Sequence, residues 1–245
     1  MTAMRWCFFT VFFYYLVAVQ AQNLVPNPSF EEFIKLPQKH YNGLGCLKYW
    51  RPHNGNCDYY HKQAGWWTGT PRNIFGRQKP HSGNAYAGIC VRSTFKEYIE
   101  VKLTAPLVQG QTYQIELYVS EAERFTGHIE AIGIYFKENS CWSNDNNALT
   151  ETPAHTFKLS RSDRPQKNWI HLSAEYIAEG FEKAVLIGYY QDPSSPPHKG
   201  YSHLYVDDVS ITPLHQLGMK PDAPVELEWA RMDQLCQANK RLLQL

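Results

Sequence analysis

Tyr98-Ile99-Glu100-Val101-Lys102-Leu103 and, after a turn at Pro106 to Gly110, Tyr113-Gln114-Ile115-Glu116-Leu117-Tyr118-Val119-Ser120 alternate apolar with polar residues one by one. A period of two is the spacing of a strand, whose successive side chains point to opposite faces, so both runs read as half-buried antiparallel strands. Outward from them, further strand candidates run over Ile129 to Phe136, Trp169 to Tyr176, Ala184 to Tyr190 and Leu204 to Ile211. Asn, Asp, Ser and Pro stretches such as Ser143 to Asn147 and Asp192 to Pro197 part them. Helical periodicity is absent between residues 23 and 213. Many short strands spaced by turn signals predict an all-β chain, a jelly-roll β-sandwich.

Of the 245 residues, 43% are hydrophobic, 14% aromatic and 19% charged, too many rings and too few charges for a disordered chain. The 24 Lys+Arg balance 23 Asp+Glu, so the basic excess expected of a nucleic-acid binder is missing. At the N-terminus Arg5 precedes an uncharged apolar run from Cys7 to Val19, and Val19-Gln20-Ala21 is a small-residue cleavage site. Residues 1–21 therefore read as a signal peptide; the run is shorter than the ~20 apolar residues of a membrane span. Cys7 precedes most of that run, which argues against a lipoprotein cysteine. The expected product is a secreted or cell-envelope protein, periplasmic or extracellular, with no membrane span. Residues 22–213 form the sandwich domain and 214–245 a linker and tail. In the tail, Leu235, Ala238, Leu242 and Leu245 line one side of a short amphipathic C-terminal helix that packs on the sandwich or on a partner.

Export places the cysteines in an oxidising setting. Removing Cys7 leaves Cys46, Cys57, Cys90, Cys141 and Cys236, an odd number, so at least one is free or pairs with another chain. Cys46 and Cys57, close together in a Gly-rich segment, are the expected bridge, a loop closure with a chain-entropy gain of about 3 kcal/mol. The histidines and cysteines show neither CxxC nor HExxH spacing, which disfavours zinc.

Four separated pieces together resemble a known family. Asn23-Leu24-Val25-Pro26-Asn27-Pro28-Ser29-Phe30-Glu31, Pro80-His81-Ser82-Gly83-Asn84-Ala85-Tyr86-Ala87-Gly88, Leu107-Val108-Gln109-Gly110-Gln111-Thr112-Tyr113 and Tyr205-Val206-Asp207-Asp208-Val209-Ser210 are similar, in order, to the galactose-binding-like jelly rolls. The likeness is to the carbohydrate-binding modules appended to xylanases and cellulases. The opening and Asp58-Tyr59-Tyr60-His61 also resemble a module common in Bacteroidetes envelope proteins. The resemblance implies a structural calcium ion, with Glu31 matching the opening carboxylate ligand and Asp207 with Asp208 the closing pair. By alternation Asp207 shares a face with Val209 and Ile211 and points inward, and a buried carboxylate calls for a compensating cation. Calcium takes six to eight oxygens, carboxylate and carbonyl mixed; capping or salt-bridged roles for these acids are the alternative.

In such modules sugars lie across the concave sheet or at the loop tips, stacked on aromatic faces. The candidates here are Tyr98, Tyr118 and Tyr135, with Glu100, Gln114 and Glu116 beside them, and in loops Tyr59, Tyr60, Trp66, Trp67 and Trp142. In an aromatic-rich sandwich each of these rings has core packing as its alternative role. The near-zero net charge favours a neutral polysaccharide or glycan. Two carboxylates suffice for a glycosidase, and Glu121 with Glu123 or Glu31 with Glu32 would supply them. No Gly-x-Ser-x-Gly elbow or phosphate loop accompanies them. The expected role is a non-catalytic glycan-binding module. An envelope structural or adhesion protein, holding a protein partner through the sandwich or the tail, is the alternative.

Overall fold

The computed structural model describes residues 22–39, 43–125, 127–139, 143, 147–160, 168–194 and 198–214. The expected signal peptide and tail helix, with Cys141, Trp142 and Cys236, lie outside these residues. Two antiparallel sheets account for most strands. With strands numbered in chain order, the five-stranded sheet runs β1 (Trp50–Asn54), β7 (Tyr98–Lys102), β12 (Ala184–Tyr189), β9 (Ala131–Lys137) and β10 (His155–Lys158). The six-stranded sheet holds β11 (Ile170–Ile177), β8 (Thr112–Glu121), β13 (Tyr201–Pro213), β5 (Ala85–Arg92) and β2 (Asp58–His61), with β6 (Phe95–Lys96) paired to β5. A small hairpin, β3 (Arg72–Asn73) with β4 (Gly76–Arg77), stands apart. The expected jelly-roll sandwich is present. β7 and β8, the two runs that reveal it in the sequence, fall in opposite sheets, so the Pro106 to Gly110 turn is a crossing between layers. Among the described residues no helix is long and apolar enough to cross a membrane.

The main core lies between the sheets. Ile99, Val101, Ile132, Ile134, Val185 and Ile187 face it from one side, and Ala87, Ile89, Ile115, Leu117, Leu204 and Val206 from the other. Burial of such apolar area is the dominant favourable term in folding. The N-terminal segment closes one edge. Leu24 N donates to Ile211 O at 2.9 Å and Thr104 N to Leu24 O at 2.9 Å, placing Leu24, Val25 and Phe30 in the core.

Both outer faces are also covered at one end, which is why β7 is buried at every position despite its alternating sequence. On the six-stranded sheet Tyr60, Phe75, Tyr86, Ala122 and Tyr205 form a second apolar cluster beneath the segment joining β2 to β5. On the five-stranded sheet Tyr98, Tyr135 and Leu186 form a third, against which Leu149 packs.

Two expectations are corrected here. Asp207 does not share a face with Val209 and Ile211: the register of β13 against β8 shifts between Asp207 and Ser210, with Asp208 at φ 47°. That bulge adds a residue and resets the alternation, leaving Asp207 opposite Tyr118, away from the core and yet fully buried beneath the 80–84 turn. The Cys46–Cys57 bridge is not formed either; both thiols, like that of Cys90, are free and buried. Leu44 N bonds Cys57 O at 3.0 Å, so backbone joins the two segments. The Cys57 thiol is aimed at the carbonyls of Tyr98 (3.4 Å) and Asn54 (3.7 Å). Burial pushes the Cys57 thiol well above its ordinary pKa, keeping it protonated.

Candidate functional site

The segment leaving β2 makes two successive turns, with Ala64 N donating to His61 O and Thr68 N to Gly65 O. They present two neighbouring indoles to water: Trp66 is 63% exposed and Trp67 40%, their ring centroids 4.2 Å apart and tilted by 33°. Large exposed rings are costly to leave wet and mark contact surfaces. The loop beneath them is tied down. His61 N bonds Thr68 O (3.0 Å), Thr68 Oγ1 bonds Pro37 O (3.0 Å) and Ile74 N bonds Trp67 O (3.2 Å).

Asn84 anchors the same loop from below. Its carbonyl accepts from Lys62 N at 2.9 Å and from Thr70 Oγ1 at 3.3 Å. Its own N–H and side-chain amide donate to the two oxygens of Glu31, at 2.7 and 3.2 Å. Glu31 is delivered by a turn that Asn27 organises, with Asn27 Oδ1 accepting from Glu32 N and Nδ2 donating to Glu32 O and Lys48 O. Gly83 lies between, at φ +56°, where a Cβ would come within 2.4 Å of a Glu31 oxygen, so only glycine fits.

Asp207 and Asp208 grip the other half of this turn. Asp207 Oδ2 accepts from His81 N (2.9 Å) and Ser82 N (3.3 Å), and Oδ1 from Asp208 N (2.8 Å). Asp208 accepts from Ser82 Oγ at 2.6 Å and contacts His81 Nδ1. Burial, with the Asp208 charge next to it, pushes the Asp207 carboxyl up to about 8 against the pull of those N–H donors. The three acids proposed from the sequence thus meet one turn, 81–84. Among the described residues no three His, Cys, Asp or Glu side chains gather closely enough to hold a metal ion.

The remaining sequence candidates divide. Tyr59 and Tyr60 are corrections, both fully buried. Tyr59 packs in the main core with its hydroxyl on Phe30 O (3.1 Å), and Tyr60 lies between Asp58 Oδ2 (3.1 Å) and His203 Nε2 (3.0 Å) over Gly88. Tyr135 is a third: it is on the outer face as alternation predicts, but covered, its hydroxyl on Tyr189 O. Tyr98 is likewise buried, and Leu149 N bonds its hydroxyl at 3.0 Å. Tyr118 is partly exposed, yet its ring is stacked by His171 of β11 (4.8 Å) and by His81 (3.5 Å), which Asp207 and Asp208 hold on the β13 side. Both π faces are taken, so Tyr118 offers no platform. Glu116 and Gln114 are on the same outer surface, bonded to His171 and Ser173, whereas Glu100 is fully buried against Arg51 and His53. Trp142 lies outside the described residues. Of the nominated rings, Trp66 and Trp67 are the ones displayed to solvent.

No family model matches the sequence, and no curated protein does. Solved structures do. The tandem CBM22-1-CBM22-2 domain from Paenibacillus barcinonensis Xyn10C aligns at 13% identity and TM-score 0.44 over 84% of this chain and 50% of that one. The K3 adhesin domain of Lys-gingipain from Porphyromonas gingivalis aligns at 15% and 0.39 over 77% of this chain and 96% of its own. A third, TmCBM61 in complex with β-1,4-galactotriose, aligns at 10% and 0.38 over 79% of this chain and 99% of its own. The sandwich assignment rests on the chain's own sheets; likeness at this level carries no argument about ligand.

The acid pairs weighed for catalysis are spent on structure. Glu121 bonds His128 Nδ1 (2.9 Å) and Ile129 N (2.8 Å), Glu123 accepts from Arg77 N, and Glu32 pairs with Lys48. Sequence reasoning missed Asn84 and Asn73, the latter bonding Tyr86, Tyr205 and the backbone of Phe75 under the tryptophan loop. Both are isolated asparagines in loop-like sequence, and only Asn84, inside the 80–88 signature, carried a signal.

Proposed function

We propose that the chain is a non-catalytic glycan-binding module and that Trp66 and Trp67 are its sugar platform. The observation that carries this reading is the exposed indole pair on a loop hydrogen-bonded at both ends. Indole faces stack on the apolar faces of sugar rings at little entropic cost, and a rigid loop keeps that cost low. The near-neutral charge favours a neutral glycan. An aromatic anchor supplies on the order of 2 kcal/mol, so Trp66→Ala is expected to weaken retention on an immobilised neutral polysaccharide about 30-fold with the melting temperature unchanged. Wild-type protein retained by no member of a broad polysaccharide panel, or full retention by the variant, overturns it.

The proposal includes export by residues 1–21 to the envelope or beyond, and a structural calcium ion. Glu31, Asp207 and Asp208 are the residues that would hold the ion, with backbone oxygens completing the shell. What supports the ion is that hard oxygen donors reach one turn and that the fully buried Asp207 carboxyl meets no Lys or Arg side chain among the described residues; against it, the three carboxyl groups are not gathered into a ready metal shell there. Through Asn84 the ion would stiffen the tryptophan loop. At 100 times its dissociation constant calcium would add about 2.7 kcal/mol, so chelator should lower the melting temperature and calcium restore it. An unchanged melting curve, with no calcium in elemental analysis, removes the ion from the proposal.

A second reading, docking to an envelope protein, is favoured by a different surface. Ile177, Phe181 and Leu214 are exposed, and Leu214 N and Ile177 both meet Thr112 at the end of β13, where the chain leads into residues 215–245.

A further inference from the structure

A second recessed surface lies where β9 begins and β10 and β12 end. Register brings these ends together, Lys158 opposite Ala131 and Tyr189 opposite Ile132. Between them is an open cleft of about 360 Å³, at the lower end of the ~300–1,000 Å³ typical of small-molecule sites. Ala131, Leu159 and Tyr189 contribute buried apolar surface to it, and Glu130, Tyr190 and Asp192 line it with more exposed groups. The walls are hydrogen-bonded to one another. Tyr190 N bonds Ala131 O (3.1 Å), Leu159 N bonds Glu130 O (2.8 Å), and the His128 ring is held between Glu121 Oε1 (2.9 Å) and Leu159 O (3.1 Å). Asp192 Oδ1 accepts from both Ser194 N (2.8 Å) and Ser194 Oγ (2.6 Å), which orients its carboxylate and leaves Oδ2 without a hydrogen-bond donor among the described residues.

What distinguishes the cleft is unspent polar chemistry. The Lys158 ammonium, the Glu130 carboxylate and the Tyr190 hydroxyl line it, and none of them makes a hydrogen bond or close ion pair among the described residues, although Lys158 and Asp192 attract each other across the cleft. An anionic ligand would meet Glu130 and Asp192, and a cationic one would meet Lys158. A neutral polyol suits both signs, because each hydroxyl donates to a carboxylate and accepts from an ammonium. A tyrosine ring beside such groups adds an apolar face for a sugar's C–H edge. We propose that this cleft binds the terminal one or two rings of an oligosaccharide, a subsite separate from the tryptophan loop. It deepens the glycan-binding reading by assigning chain-end recognition to the cleft and chain-internal contact to Trp66 and Trp67.

The test uses free mono- and disaccharides in calorimetric titration alongside retention on immobilised polysaccharide. Lys158→Ala and Tyr190→Ala are each expected to weaken disaccharide binding at least tenfold and to leave polysaccharide retention intact, while Trp66→Ala does the reverse. Tyr190→Phe, which removes one hydroxyl, gives the same direction with the least risk to folding. Disaccharide affinity unchanged in all three cleft variants, or a panel in which no free saccharide binds, overturns the cleft. Polysaccharide retention that survives Trp66→Ala while the cleft variants lose disaccharide overturns the platform and leaves the cleft standing.

Discussion

Replacing Tyr60 with Ala is expected to destabilise the protein by about 3–5 kcal/mol, the cost of emptying a fully buried large aromatic site. Its ring centroid lies 5.1 Å from that of Tyr86 and 5.4 Å from that of Tyr205, the latter pair edge-to-face, and 6.5 Å from Phe75. Three neighbours therefore lose a partner at once. The hydroxyl adds to the loss. It bridges Asp58 and His203, and Asp58 Oδ1 has no hydrogen-bond partner among the described residues, so removing the bridge leaves the buried carboxyl group still less satisfied. Tyr60→Phe keeps the packing and isolates that second contribution. Denaturant unfolding measures both. A Tyr60→Ala protein as stable as wild type would mean that the second cluster is loosely packed, and would return Tyr60 to the list of exposed sugar contacts.

Stability should also fall as pH rises from about 4 through 8, because the Asp207 and Glu97 carboxyls are both raised on folding, and the part between about 4.5 and 7 carries the contribution of Glu97. Burial pushes its carboxyl up to about 7, although Cys90 N (2.7 Å) and Asn56 N (3.1 Å) donate to it. Neighbouring Asp58 is raised in the same direction, by burial first and by the Glu97 charge second. A carboxyl whose folded pKa exceeds its unfolded value binds more protons in the folded state, so stability is lost between the two values as pH increases. For Glu97 the loss is on the order of 3 kcal/mol. His61, His155 and His198, lowered by burial, work the other way at acid pH. The contribution is therefore read as the difference in slope between wild type and Glu97→Gln, whatever the variant's constant offset. Parallel pH–stability curves for the two proteins would refute the assignment.

The alternation in β7 and β8 was sufficient to reveal an antiparallel sandwich, because period two follows from the pleat alone. It could not say that these runs sit in different sheets, since pairing depends on where the chain crosses between layers. Nor could it say which polar-side rings reach water. Tyr98, Tyr118 and Tyr135 do lie on the outer faces, but Leu149 covers the first and last and two histidines enclose the other. Those covering residues lie outside the strands they cover, and alternation carries no record of them. Asp207 failed for a local reason, a bulge at Asp208 that a strict period-two count steps over. Trp66 and Trp67 were legible for the opposite reason: adjacent tryptophans among Gly and Lys in a non-periodic segment have no strand face to turn toward.

The cluster on the outside of the six-stranded sheet divides the molecule into layers of unequal depth. β5 and β13 are a shared wall, with the main core on one side and Tyr60, Tyr86 and Tyr205 on the other. The outer layer, 62–84, is held by that smaller cluster and by side-chain bonds to Asn73, Asn84 and Asp207. Segments of this kind open locally at a lower free energy than the whole domain. A ligand bound at Trp66 and Trp67 would therefore stabilise first the layer that carries it, and its effect would reach the interior through the shared strands and through the Glu31 and Pro37 contacts of the N-terminal segment.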